Sequence, residues 1–315
     1  MFLFLPTFPV FPLHYQEGLR TPSVGGPLVN AHMGLFLDEV YRKYGRSEFL
    51  GTDPLPLVRA YTDPRDREVA GLLTALLSYG RVSAICSHAR AVLETLGPSP
   101  RDALLRFDPK RDGPPLYPLR YRFHTGEDIA SLFRILRDVL RSHGSVEALL
   151  HSTAGSIREK LSTMVRHLHS VHSAGGREFS YGLRFLLPSP DAGGACKRWN
   201  LYLRWMVRGD DGIDCGVWRG LSPADLVLPL DTHLLRIGRR LGFVTTRSAS
   251  WEAAERFTAA LREYDSEDPL RYDFALCRLG ILDRCPSSGF GKRCRGCELL
   301  PFCSRATKGN RQKFR

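Results

Sequence analysis

The spacing of apolar residues predicts a mainly helical chain from residue 33 onward. Apolar side chains recur every three or four positions, which is the period of an amphipathic α-helix. Asp63 before Pro64 is a typical helix start, as is Thr125 with Asp128, and Gly144 is a typical stop. Helices are therefore predicted over residues 64–80, 82–96, 125–144 and 156–169.

Alternation typical of strands is scarce. The segment DGIDCGVW, residues 211–218, is the best candidate for a hairpin, and residues 108–120 are rich in proline and charge and predict a loop. A chain of 315 residues is long enough for two structural units. We therefore expect an all-α protein built from two helical lobes.

Composition and charge narrow the class of partner. Hydrophobic residues make up 43% of the chain and charged residues 25%, which is an ordinary globular balance. The formal net charge is +12, which favours a polyanionic partner, nucleic acid first and a membrane surface second. No stretch reaches the roughly 20 apolar residues of a spanning helix, so the sequence excludes an integral membrane protein. The crowding of cysteines near the C-terminus is typical of a reduced metal site, so we expect a cytoplasmic protein whose partner is not a membrane.

Both ends of the chain differ from its body. Residues 1–32 are rich in proline and glycine and lack a basic leader, so we expect a disordered extension and no secretory signal. Residues 304–315 carry five basic side chains and no acidic one, and predict a solvated basic tail.

Four of the eight cysteines lie close together near the C-terminus, with eight, two and five residues between successive members. They are Cys285, Cys294, Cys297 and Cys303. A set made only of thiolates suits zinc or an iron–sulfur cluster. Zinc sites commonly use two paired C-x2-C elements and this segment has one, so the spacing favours iron–sulfur, with zinc as the alternative occupant. The other cysteines are expected to be small core residues.

A new helix is predicted to start near Gly194, after a tight Pro/Gly hairpin, with Lys197 in its first turn. On that helix one face should form a core stripe, which consists of Trp199, Tyr202, Leu203 and Met206; Lys197, Leu201, Arg204 and Arg208 should line the opposite, exposed face. A helix N-terminus binds phosphate and disfavours the charged form of a lysine. Only seven of the 45 basic residues are lysines, so this lysine has two interpretations, a surface residue or a deprotonatable amine.

Asp231 follows an apolar run and precedes a basic helix, in the segment VLPLDTHLLRIGRRLGF. One interpretation is an N-cap aspartate, worth about 1 kcal/mol of helix stability. The other is a carboxylate that is kept ionised by the helix end and points into a cleft. Position in the sequence leaves both open, and one residue can serve both purposes.

Taken together, the Pro/Gly hairpin with its lysine, the LDTHLLRIGRRLG segment and the four-cysteine loop resemble the helix–hairpin–helix DNA glycosylase superfamily. Endonuclease III is its most familiar member, and the chain is most similar to a bacterial branch with no assigned substrate. The resemblance covers residues 63–303. Three features depart from the family pattern: the hairpin PSPDAGGA, a longer interval between Lys197 and Asp231, and a first cysteine gap of eight instead of six.

The resemblance implies a fold and a role for each matching residue. Lys197 would be the Schiff-base nucleophile and Asp231 the catalytic aspartate of a DNA N-glycosylase with abasic-site lyase activity. The DNA-binding residues would be Pro188, Gly193, Gly194 and Arg198, and Cys285, Cys294, Cys297 and Cys303 would hold a 4Fe–4S cluster. One helical domain would span 64–209, and the other would combine 33–63 with 210–303.

The resemblance also implies a partner and leaves two rival functions open. The partner would be double-stranded DNA with a damaged base or an abasic site, bound by a monomer associated with the nucleoid. The alternative is a non-catalytic DNA-binding protein of the same fold that carries an iron–sulfur cluster. A zinc-dependent nucleic-acid adaptor is a more distant alternative.

Overall fold

Helices make up most of the computed structural model, which describes residues 27–174, 176–209, 211–282, 285–286 and 292–306. The predicted all-α class is therefore confirmed. In chain order the helices are α1 (Pro27–Tyr44), α2 (Pro56–Arg59), α3 (Pro64–Leu76), α4 (Val82–Glu94), α5 (Pro100–Leu105), α6 (Pro109–Asp112), α7 (Gly126–His143), α8 (Val146–His151), α9 (Ile157–Ser173), α10 (Tyr181–Leu186), α11 (Lys197–Val207), α12 (Thr232–Leu241), α13 (Trp251–Arg262) and α14 (Asp273–Leu282).

Short 3-10 helices and one small hairpin complete the described elements. The 3-10 helices are Ser47–Thr52, Pro114–Leu116, Pro190–Ala192, Pro223–Asp225, Pro269–Tyr272, Lys292–Gly296 and Leu300–Phe302. Strands β1 (Arg120–Tyr121) and β2 (His124–Thr125) pair antiparallel. The hairpin predicted at residues 211–218 does not form: Trp218 donates its backbone N–H to the Met206 carbonyl (2.8 Å), so the end of α11 satisfies this backbone without a strand partner.

Capping residues start the helices where the sequence predicts. The Asp63 carboxylate accepts a hydrogen bond from the Arg65 backbone N–H (2.8 Å), and Thr125 with Asp128 forms a reciprocal capping box at the start of α7. The C-cap of α7 is Gly144, at φ +80°, a conformation that glycine adopts without strain. Helix α3 ends at Leu76, four residues before the predicted stop.

The core surrounds α3, which packs against α11, α2 and α5. The core stripe predicted on α11 is confirmed, because its members are fully buried: Trp199, Tyr202, Leu203 and Met206. Close packing here depends on Gly71 of α3, since a Cβ at that position would lie 2.7 Å from Cε of Met206. Helix α11 is thus held firmly along its buried face.

The N-terminal helix α1 packs against α14, which also packs against α12. Because α1 begins at Pro27, the predicted extension of residues 1–32 is too long by at least six residues. Residues 1–26 of that extension, and residues 307–315 of the predicted tail, lie outside the described residues. Within the described part of the chain, no helix is long and apolar enough to cross a membrane.

Candidate functional site

Lys197 and Asp231 meet in space, although they begin different helices. The Nζ atom of Lys197 lies 3.3 Å from Oδ2 of Asp231. The lysine side chain is 37% exposed and the aspartate side chain 19%, so the pair stands at a surface that solutes can reach. The structure therefore brings together the two residues that the resemblance marks as catalytic.

The backbone before Lys197 sets the position of its side chain. Gly193 closes the 3-10 turn at φ +76°, and Cys196 adopts a left-handed φ of +44°, uncommon for a residue with a Cβ. The Trp199 indole N–H then anchors the hairpin by donating to the Pro188 carbonyl (2.9 Å). The helix predicted to start near Gly194 thus starts three residues later, and Lys197 lies in its first turn, as predicted.

Asp231 is both the N-cap of α12 and a residue of the pocket lining. Its Oδ1 accepts hydrogen bonds from the backbone N–H groups of His233 (2.8 Å) and Leu234 (2.9 Å). The other oxygen, Oδ2, faces Lys197. Because two backbone amides fix the carboxylate, its orientation does not depend on the lysine.

A pocket opens around the pair. Its lining comes from several separate segments and includes Asp53, Ser78, Tyr79, Gly80, Lys197, Leu201, Arg204, Asp231, His233, Asp273, Cys277 and Arg278. Sequence reasoning missed Asp53 and Arg278, which form an ion pair of 2.6 Å. It also missed Tyr79. No local motif marks these residues, because their partners are distant in the sequence.

Cys277 is another nucleophilic side chain in the pocket lining. Burial raises the pKa of its thiol to about 12. At neutral pH the thiol therefore stays protonated, and a thiol is a much weaker nucleophile than a thiolate. Among these pocket residues, the amine of Lys197 is the better candidate for covalent chemistry.

Arg204 and Arg208 do not lie on an exposed face, and that prediction is wrong. Their side chains are 4% and 5% exposed. Arg204 bridges the buried carboxylates of Asp214 (3.1 Å) and Asp273, and Arg208 binds Asp214 and Asp268. These carboxylates take the place of the phosphates that an exposed guanidinium would bind, so both arginines serve the fold, and Arg204 does so in the wall of the pocket.

Arg198 is also turned inward, and its burial counts against the predicted contact with DNA. Its guanidinium donates to the carbonyls of Leu76 (2.8 Å) and Phe185, and lies 4.5 Å from the centroid of the Phe185 ring. Burial lowers the pKa of Arg198 to about 10. The Arg198 side chain therefore connects the start of α11 to the C-terminal ends of α3 and α10 by hydrogen bonds.

The hairpin glycines lie open to approach from outside. A Cβ built at Gly193 or Gly194 would meet no atom within 4 Å. The back of the hairpin is fixed, because the Gly193 carbonyl accepts from the Trp251 N–H (3.1 Å) and Gly194 bridges to Ser250. The carbonyl of Pro188 is occupied by Trp199. The two glycines fit their predicted role, while the phosphate contact itself stays a prediction.

The four clustered cysteines are partly buried; they are Cys285, Cys294, Cys297 and Cys303. A 3-10 turn connects two of them, since the Cys297 N–H donates to the Cys294 carbonyl (3.3 Å). In the described residues, no group of three or more His, Cys, Asp or Glu side chains could hold a metal ion. As a donor set, four reduced thiols fit an iron–sulfur cluster or zinc, and the cluster stays a prediction.

These features define a helical protein with a lysine–aspartate pair in a pocket beside an open glycine hairpin. Residues 53–282 match the model of a protein family of unknown function, DUF2400, and the chain belongs to that family. The match includes the lysine, the aspartate and the hairpin, and ends before the four cysteines. No curated protein and no solved structure matches the chain.

Proposed function

We propose that this protein is a DNA glycosylase of the helix–hairpin–helix type, with abasic-site lyase activity through a lysine Schiff base. The observation that carries the proposal is the distance of 3.3 Å between Nζ of Lys197 and Oδ2 of Asp231. A primary amine beside a fixed carboxylate, in a pocket at the surface, is an arrangement suited to imine chemistry on a sugar. The net charge of +12 supports a polyanionic substrate.

The substrate must present its sugar to the pocket. A damaged base stacked in a duplex cannot be reached, so the nucleotide flips out at a cost of a few kcal/mol. The open backbone at Gly193 and Gly194 would let a phosphate approach beside α11. This contact would place C1′ of the flipped nucleotide near Lys197.

In the first chemical step the neutral amine of Lys197 attacks C1′. A C–N bond forms to the lysine, the glycosidic bond breaks, and the departing base takes its electron pair and a proton from water. Asp231 accepts the proton that the lysine loses and stabilises the positive charge that develops on the sugar. The sugar ring then opens: the lone pair of the lysine nitrogen forms the C1′=N bond, the C1′–O4′ bond breaks, and O4′ takes the proton from Asp231, which leaves a protein–DNA imine.

Strand cleavage then follows from the imine. The imine makes the C2′ proton acidic, and its removal drives loss of the 3′-phosphate by β-elimination. Hydrolysis of the imine returns the free lysine. The buried carboxylates beneath the pocket remain paired with arginine, so Asp231 is the carboxylate placed to move protons at Lys197.

The four-cysteine segment would hold a 4Fe–4S cluster with a structural role. Helix α12, which Asp231 caps, already binds this segment through Arg236, which donates to the Cys285 carbonyl (2.7 Å), and Arg240, which donates to the Pro286 carbonyl (2.8 Å). A cluster bound there would order the segment that supports α12.

Borohydride trapping tests the chemistry. The parent protein, Lys197→Ala and Lys110→Ala would be incubated with duplexes that contain an abasic site or one of a panel of damaged bases, with sodium borohydride. The parent and Lys110→Ala, which removes an exposed lysine on α6, should give a covalent adduct, and Lys197→Ala should give none. Equal trapping by Lys197→Ala would show that another amine is the nucleophile.

A further inference from the structure

Two large aromatic side chains stand exposed side by side. Tyr181 is 70% exposed and Phe123 43%, and their ring centroids are 6.1 Å apart in an edge-on arrangement. Scattered apolar side chains on a surface are ordinary, but a contiguous aromatic patch marks a site of interaction. We call this pair the aromatic platform.

The aromatic platform is a built feature with its own support. Phe185 lies beneath it, with its ring centroid 4.8 Å from that of Phe123. Gly182 allows α10 to pack closely against the β1–β2 hairpin, because a Cβ at this position would lie 2.6 Å from the Phe123 carbonyl oxygen. Phe123 is therefore packed against Phe185 and α10 before any ligand arrives.

The β1–β2 hairpin, which carries Phe123, borders the pocket of Lys197. The Tyr121 hydroxyl donates to the Tyr79 carbonyl (2.6 Å), and Tyr79 lines that pocket. The Arg122 side chain covers Gly80, another lining residue, since a Cβ on Gly80 would lie 2.9 Å from Nη1 of Arg122. The aromatic platform thus begins at the rim of the pocket.

The charge around the aromatic platform is suited to nucleic acid. Four exposed arginines lie near it. Arg120 and Arg122 belong to the β1–β2 hairpin, Arg81 directly precedes α4, and Arg184 lies on α10. The Arg122 guanidinium lies 5.4 Å from the centroid of the Phe123 ring. Aromatic rings interleaved with arginines are the usual surface for unpaired bases, which stack on the rings while cations hold the phosphates.

We propose that Phe123 and Tyr181 stack with unpaired bases, so that the preferred substrate is DNA with a single-stranded stretch beside the reacting nucleotide. This inference rests on the proposed function for its location but is tested by binding alone. In a paired duplex both faces of each base are covered by its neighbours, and the rings have nothing to stack on. A single strand, gap or bubble exposes those faces.

Fluorescence anisotropy can measure this preference. The probes are a fluorescein-labelled oligothymidylate, the same strand paired with oligoadenylate, and a mixed-sequence duplex with a central bubble. The protein should bind the single strand and the bubble more tightly than the duplex. Phe123→Ala and Tyr181→Ala should each weaken binding to the single strand by at least about fivefold, and change binding to the duplex by less than about twofold.

Two further variants make the test specific. Tyr181→Phe keeps the ring and should bind like the parent. Tyr117→Ala removes another exposed aromatic, 46% exposed, that has no ring partner in the described residues, and should also bind like the parent. Thermal melting checks that each variant is folded.

The outcomes separate this inference from the proposed function. Equal losses on duplex and single strand, no loss at all, or failure to bind any of the three probes would overturn the stacking proposal. Absence of borohydride trapping, with the single-strand preference intact, would overturn the glycosylase proposal alone. Lys197→Ala should retain the preference, because it leaves the aromatic platform unchanged.

Discussion

Lys197 and Asp231 each stand at the N-terminus of a helix, and the aspartate divides its two oxygens between structure and pocket. One oxygen caps α12 through the backbone amides of His233 and Leu234, and the other lies 3.3 Å from the lysine amine. These two backbone hydrogen bonds fix the orientation of the carboxylate without a contribution from the lysine. Removing the charge and removing the cap are therefore separable by mutation.

Asp231→Asn should remove the negative charge and keep the cap of α12. Asparagine is as good an N-cap as aspartate, so unfolding by denaturant should show a loss of less than about 1 kcal/mol. The negative charge is lost, and the single-turnover rate of adduct formation on abasic DNA should fall by a factor of about 10² to 10⁴. Asp225→Asn, at an exposed 3-10 cap, is the matched control. Adduct formation at the parent rate would contradict the role of Asp231.

The open hairpin allows a charge test of phosphate binding. Gly194→Asp places a carboxylate where a Cβ meets no neighbour within 4 Å, so the fold should tolerate it. If a phosphate binds there, affinity for abasic duplex should fall at least about tenfold and recover partly at higher salt, which screens the repulsion. Gly209→Asp, equally open at the far end of α11, should change affinity little. Equal effects of the two variants would place the phosphate elsewhere.

Local chemistry predicts much of this fold. Helix starts at Asp63 and Thr125 form as expected because a capping side chain and its amide lie within three residues of one another. The core stripe of α11 follows from a period of 3.6, a property of the segment alone. The placement of Lys197 in the first turn of α11 was predictable for the same reason, although the helix starts three residues after the predicted start near Gly194.

Interactions between distant segments of the chain could not be predicted from local sequence patterns. Arg204 is buried because it meets Asp214 and Asp273, and a charged side chain without a visible partner is ordinarily assigned to the surface. Arg198 is buried because its partners are carbonyl groups, which every residue has. The pairing of Lys197 with Asp231 was expected only from the resemblance to a family, since neither residue's surroundings point to the other.

A buried histidine should make the fold sensitive to acid. His124 is 2% exposed and is hydrogen bonded to His88 (2.8 Å) and Tyr79. Burial lowers the pKa of His124 to about 4, and burial also lowers the pKa of His88. An unfolded histidine titrates near 6.5, so below that pH the unfolded state binds more protons than the native state. Stability is fully present above pH 6.5 and is lost as the pH falls towards 4.

The loss from His124 should be about 3 kcal/mol over that range, at about 1.4 kcal/mol for each pH unit. His124→Gln cannot take up the proton. It should be less stable than the parent at pH 7.5, because the network to Tyr79 is broken, and the gap should narrow as the pH falls. Denaturant unfolding at several pH values measures both proteins. A gap that stays constant from pH 7.5 to 4.5 would refute the assignment.

The last prediction concerns the four cysteines. Protein purified without oxygen should be brown and contain about four irons per chain, as a 4Fe–4S cluster requires. Cys297→Ala should lose the iron, while Cys86→Ala, outside the C-terminal segment, should keep it. Because Arg236 and Arg240 tie α12 to this segment, loss of the cluster should also destabilise α12 and slow adduct formation at the neighbouring Lys197–Asp231 pair. A colourless parent protein with one tightly bound zinc would show that the cysteines hold zinc, the alternative occupant. Protein without any metal would contradict both predictions.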